Sequence, residues 1–172
     1  KDAKRLGLDK KFKQLGAHYT GGPDLINLAG EAAEGFLWAT SFYLYEEDTP
    51  GIRLQKEIGQ KYGRPEALIR SVNYTNGMLA AAIAVEAIRR AQERFKRVTN
   101  ETVYQAIVSM NGPNAFKPGF AVSTKRGMEI DFTKSEHTGA EGLRILEAKG
   151  GRFVPVTEPF TSALFRKVHY GK

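Results

Sequence analysis

At 172 residues the chain is sized for one domain or two small ones, and it can bury about 70% of the surface exposed on unfolding without covalent staples. It has no cysteine, which excludes a disulfide scaffold, a thiol nucleophile and any Cys-ligated metal site, and its 41% apolar and 26% charged residues are those of a globular chain. The net charge of +7 is unevenly spread: residues 1–16 carry six Lys or Arg against two acids, residues 17–50 carry six acids and no Lys or Arg, and the remainder is basic again. A nucleic-acid binder needs a continuous basic face, so this interruption argues against a nucleic-acid partner. No apolar run nears the ~20 residues of a membrane helix. No signal peptide opens the sequence, and Lys1 in place of a Met predicts a natural start further upstream.

Residues 1–6 (KDAKRL) read as the end of a helix closed by Gly7. A short strand is expected over 12–15, then the turn-rich loop GAHYTGGPD. Pro23 and Asp24 suit a helix start, and Leu25, Ile26, Leu28, Ala29, Ala32 and Ala33 supply its apolar face. Gly35 ends it. Phe36–Tyr45 is aromatic-rich and bounded by turn residues, as in a buried strand.

A second helix is expected from about Ile52 to Tyr62, before Gly63 and Pro65. A third begins near Tyr74, with Met78, Ala82, Val85, Ile88 and Phe95 at helical spacing and Glu86–Arg90 and Glu93–Arg97 as i,i+4 pairs. The basic cluster Arg89, Arg90, Arg94, Lys96 and Arg97 is then a solvated helix end. Thr99 or Asn100 caps a fourth helix running to about Met110. Beyond it Met128–Phe132, Leu143–Lys149 and Arg152–Val156 are β-type runs, the last two joined by a Gly150-Gly151 turn. TSALFRKVHY closes the chain as a short helix. The order is α/β with interruptions, the end of a βαβ series whose beginning is missing.

The chemistry-bearing residues are few. His18, His137 and His169 lack metal-ligand spacing, and no nucleophile elbow, phosphate loop or dinucleotide fingerprint is present, so no metal and no cofactor are expected. Gly21-Gly22-Pro23 places backbone amides beside His18, Tyr19 and Thr20, either as a polar pocket or as an ordinary strand-to-helix turn. Asn73 and Tyr74 either face a cleft or serve as an N-cap and a packing residue. Glu31 and Glu34 read as solvated helix acids. The aromatic run from Trp38 reads as core. An enzyme using His18 or His137 as a general base is the alternative to a binding protein, although neither has a partner motif.

LINLAGEAAEGFLWATSFY at 25–43 carries a resemblance. An "AGE-x-AEG" helix running into an apolar strand resembles the branched-chain amino-acid-type periplasmic binding proteins, the solute-binding components of ABC importers. DTPGIRLQKEIGQKYGRPE (48–66), NYTNGMLAAAIAVEAIRRA (73–91), TNETVYQAIVSM (99–110), IDFTKSEHTG (130–139) and ILEAKGGRFVPVTE (145–158) are similar to that family's later segments, in order. The resemblance implies part of a two-lobe fold with three-layer αβα lobes, its N-terminal portion missing. Residues 1–41 plus 140–172 would belong to the second lobe and 46–135 to the first, with crossovers near 41–46 and 133–139. It implies no enzyme activity, a small-molecule ligand between the lobes, a membrane permease as partner, the missing N-terminal half as companion, and a periplasmic or extracytoplasmic location. The ligand-binding residues would be His18, Tyr19, Thr20, Asn73 and Tyr74. The family often places an acid where His18 stands. A histidine offers no fixed negative charge, so an amino acid and a carboxylate or aromatic acid are both admitted.

Overall fold

The computed structural model describes residues 1–122, 130–137, 139–140, 142–163 and 167. Strand β1 (Leu15–Gly16) runs parallel to β2 (Leu37–Thr40), and β2 pairs antiparallel with β3 (Arg144–Lys149), which pairs antiparallel with β4 (Arg152–Pro155). The sheet order is β1-β2-β3-β4. Its register sets Leu15 beside Leu37, Trp38 beside Leu146 and Ala148 beside Phe153. Segments more than 100 residues apart in sequence thus share one sheet. The β3–β4 turn is Gly150-Gly151, both at positive φ (58° and 76°), the geometry that matches the twist of a tight hairpin.

Helices that lie wholly within the described residues include α1 (Asp2–Arg5), α2 (Pro23–Ala29), α3 (Pro50–Lys61), α4 (Glu66–Ile69), α5 (Val72–Phe95) and α6 (Asn100–Ile107). Helix α2 tightens into a 3-10 turn over Gly30–Ala33. Helix α3 starts two residues earlier than expected because Thr49 caps it, accepting from the Ile52 amide at 3.3 Å, and Pro50 fills the first helical position. Ser71, not Asn73, caps α5: its hydroxyl accepts from the Asn73 amide at 3.2 Å. Thr99 caps α6 in a reciprocal pair with Thr102.

Three expectations need correction. The aromatic strand is only four residues long. Past Thr40 the chain leaves the sheet, and Ser41 and Tyr43 bond instead to the backbone of 120–122. The pair Glu93–Arg97 does not form. Lys96 ends α5 in the left-handed conformation (φ 57°), which carries Arg97 off the helix, and Glu93 accepts from Arg89 at 2.5 Å. Arg89 and Arg90 both bond Glu86, and these bonds, that of Arg89 foremost, hold its carboxyl at about 2. Strand β2 is an inner strand, and Trp38, Phe42 and Leu44 are buried, as the aromatic run led one to expect. Exposed apolar side chains lie elsewhere, at Leu6, Phe12, Leu15, Leu28 and Val85. The expected strand over Met128–Phe132 is not seen among its described residues: Ile130 and Asp131 make only isolated bridges, to Phe116 and Gly139, while Met128 and Glu129, most of the closing helix and His169 lie outside the described residues.

One core joins sheet to helices: Trp38, Phe42, Leu146 and Phe153 pack with Val72 and Leu79 of α5 and with Phe120 and Ile130. A second cluster of Ala87, Ala91, Ala106 and Met110 seals α5 to α6. Small residues set the approaches. A Cβ on Gly51 would lie 2.5 Å from the Gly119 carbonyl, so only glycine lets α3 meet that backbone. Gln55 is wholly buried and donates to the Ile69 carbonyl (2.7 Å) and the Thr75 hydroxyl (3.0 Å), tying α3, α4 and α5 together.

Candidate functional site

The loop between β1 and α2 is shaped by Trp38 of the neighbouring strand. The indole is fully buried, and its N–H donates to the His18 carbonyl at 2.9 Å. Its ring lies so close to Gly21 that a Cβ there would sit 2.2 Å from the indole Cγ. Gly22, at φ 111°, turns the chain into Pro23 and α2. The result is one 3-10 turn, His18–Thr20, held at the end of the sheet. The Thr20 hydroxyl donates to the Ala17 carbonyl at 2.6 Å, closing that turn.

Facing it is the start of α5. Tyr19, Thr20, Ser71, Val72 and Asn73 line one cavity of about 220 Å³. Asn76 donates to the Tyr19 hydroxyl at 3.3 Å across the gap. So the structure brings Tyr19, Thr20 and Asn73 together. His18 and Tyr74 do not line that cavity. The His18 imidazole sits against the Phe42 ring (centroids 4.5 Å) and the Tyr19 ring (4.7 Å), with Nδ1 3.5 Å from the Thr40 hydroxyl. Burial pushes its pKa below the ordinary value, so the ring is neutral at pH 7. His137 is exposed.

A larger cavity of about 690 Å³ lies on the other flank of α2, among Asp24, Leu44, Glu46, Arg70, Phe153 and Pro155. The sequence reading did not single it out, because its walls come from four segments far apart in the chain. Trp38 was assigned to the core, and its hold on the His18 carbonyl has no local sequence signal. Among the described residues no group of three His, Cys, Asp or Glu is placed to hold a metal ion, and no helix is long and apolar enough to cross a membrane.

A polar loop at the end of a parallel strand pair, set against the start of a long helix with cavities between, is the arrangement of an α/β ligand-binding cleft. The chain belongs to the periplasmic binding protein family, whose model matches residues 1–152. It is 89% identical to the solved structure of a branched-chain amino acid ABC transporter protein from Thermus thermophilus with bound valine, with a TM-score of 0.92. That match covers 99% of this chain and 44% of the other, so the chain spans less than half of that protein. A fatty acid ABC transporter substrate-binding protein from Thermomonospora curvata shares the fold at 24% identity, with a TM-score of 0.70 over 98% of this chain and 41% of its own. A leucine-binding protein from Thermotoga maritima does so at 19% identity and TM-score 0.60, over 93% and 40%. The family and these neighbours are transport binding proteins, not enzymes. No curated protein shows a significant match.

Proposed function

We propose that this chain is part of the solute-binding component of an ABC importer that captures a branched-chain amino acid outside the cytoplasmic membrane and delivers it to a membrane permease. The observation that carries this reading is the placement of the Tyr19–Thr20 turn opposite Asn73, in a chain 89% identical to a valine-bound protein. Residues 1–41 with 140–172 make the second-lobe portion and 46–135 the first-lobe portion. The sheet pairing of β2 with β3, and the separate α5–α6 packing, support that division. An N-terminal half supplies the other wall of the cleft.

His18, Tyr19, Thr20, Asn73 and Tyr74 are the ligand-binding residues in this reading; Tyr19, Thr20 and Asn73 line the shared cavity, and the His18 ring lies edge-on to Tyr19 beside it. A neutral imidazole has one bare nitrogen, which accepts a hydrogen bond from the ligand ammonium without any fixed charge.

A thermal-shift panel of amino acids and organic acids on the two-lobe protein is the test. Valine, leucine and isoleucine are expected to raise the melting temperature, since a ligand bound only to the native state stabilises it by mass action, by about 2.7 kcal/mol at a hundredfold excess over Kd. A response confined to organic acids lacking an amino group would reassign the ligand. No response to any solute would remove the binding function.

A further inference from the structure

Glu46 and Glu47 are neighbours in sequence, yet each is gripped from a different part of the molecule. Glu47 takes a bidentate bond from Arg144, the first residue of β3, with Nη1 at 2.8 Å from Oε1 and Nη2 on Oε2. The Arg144 side chain is 5% exposed, and Nη2 also donates to the Phe42 carbonyl at 3.1 Å. Glu47 accepts in turn from the Leu44 amide at 2.5 Å. One guanidinium therefore folds residues 42–47 onto the end of the sheet. Glu46 points the other way. It pairs with Arg70, at the end of α4, which also bonds Glu66 at 2.9 Å. Between them the Tyr45 ring lies under Arg70 (5.1 Å) and under Lys56 of α3 (4.8 Å).

We propose that residues 42–47 form a two-sided strap. Arg144–Glu47 fastens it to the sheet, Arg70–Glu46 fastens it to the helical part, and together they set the angle at which the two parts meet around a ligand. This rests on the lobe division proposed above. The strap borders the larger cavity, which Leu44, Glu46, Glu47 and Arg70 all line. Both parts superpose at once on a valine-bound relative with a TM-score of 0.92, so the angle held here is the ligand-bound one. Glu47 is then a positioning residue. It touches no solute, yet it favours the closed arrangement, and affinity falls by the fraction of time that arrangement is lost. The two fasteners differ in strength. The sheet-side pair is buried and bidentate, whereas the Arg70–Glu46 side chains are 39% and 53% exposed and screened by water.

The test uses the two-lobe protein with Glu47→Gln and Glu46→Gln. Glu47→Gln keeps the side-chain shape but loses the charge-assisted pair. It is expected to raise the Kd for valine at least about fivefold, at the low end of measured coupling between distant groups, and Glu46→Gln to raise it less. The second readout needs no ligand. These 172 residues hold no cysteine, so with any cysteine in the rest of the two-lobe protein replaced by serine, spin labels at Lys149→Cys and Gln92→Cys report one sheet-to-α5 distance. That distance is expected to broaden in Glu47→Gln and to stay narrow in the parent. An unchanged distance distribution in the folded variant overturns the strap. So does an unchanged Kd where the parent binds valine. A parent that binds no valine but whose distance broadens on Glu47→Gln leaves the strap standing and removes the proposed ligand instead.

Discussion

Trp38→Ala is expected to lower unfolding free energy by about 3–5 kcal/mol, the range for emptying a large aromatic site in a packed core. Trp38 is the largest of the fully buried side chains, its ring meets Phe153 at 5.0 Å, and Gly21 packs directly against it. The cavity left behind has no mobile neighbour to fill it on the Gly21 side, where only backbone lies. The His18 carbonyl also loses its indole donor. Trp38→Phe separates the two effects. Most of the volume stays, so the stability loss should fall toward the ~1 kcal/mol of one hydrogen bond plus a smaller void, while the amides of 17–22 exchange faster. Urea denaturation with native-state hydrogen exchange reads both. A loss under 1 kcal/mol in Trp38→Ala would mean that the indole does not support the loop as described.

The second large effect concerns the chain on its own. The 172 residues are expected to self-associate at micromolar concentration and to bind valine at least about a hundredfold more weakly than a two-lobe protein. Leu15 of β1 and Phe12 just before it are 60% and 67% exposed, and the outer edge of β1 pairs with no other described strand. An open edge beside apolar side chains is a template for further pairing. On α5, Ala81, Ala84, Val85 and Ile88 form a second exposed apolar stripe at helical spacing. Half the walls of a cleft also supply half its contacts, and losing two hydrogen bonds of ordinary strength, at about 1.4 kcal/mol each, already amounts to a hundredfold. Sedimentation velocity and equilibrium dialysis check the two statements. A monomer that binds valine as tightly as the longer protein would mean that these surfaces need no companion.

How much of this was legible in the sequence follows from the range of each interaction. Helix α5 and the β3–β4 hairpin were legible because their signals are local: apolar residues at helical spacing in one, Gly150-Gly151 in the other. Helix α4 was missed because Glu66–Ile69 is a single turn, held by Gln55 from α3 rather than by its own sequence. The end of β2 was misplaced because aromatic composition continues to Tyr45, while the ladder stops where Arg144 captures the Phe42 carbonyl, a partner 102 residues away. At the site, glycines and a proline marked the loop, so His18, Tyr19 and Thr20 could be named. Their orientation could not. Trp38 turns the His18 ring toward Thr40 and Phe42 and leaves Tyr19 and Thr20 facing Asn73. The cap of α5 lay two residues from where it was expected, because Ser71 and Asn73 are both good caps and the turn after α4 decides between them.

Calorimetric titration of valine into the two-lobe protein across pH 5 to 8, repeated with His18→Ala, bears most directly on the claim that this cleft binds an amino acid through a neutral histidine. The neighbours of the His18 ring are Thr40, Phe42 and Tyr19, and burial holds its pKa below 6.5. Affinity should therefore be flat from pH 8 to about 6.5 and fall below that, as protonation places a cation beside the ligand ammonium. His18→Ala should weaken binding by at least ~1 kcal/mol at pH 7.5 and abolish the acid fall. A valine affinity that rises toward pH 5, or that His18→Ala leaves unchanged in a folded protein, would contradict the account.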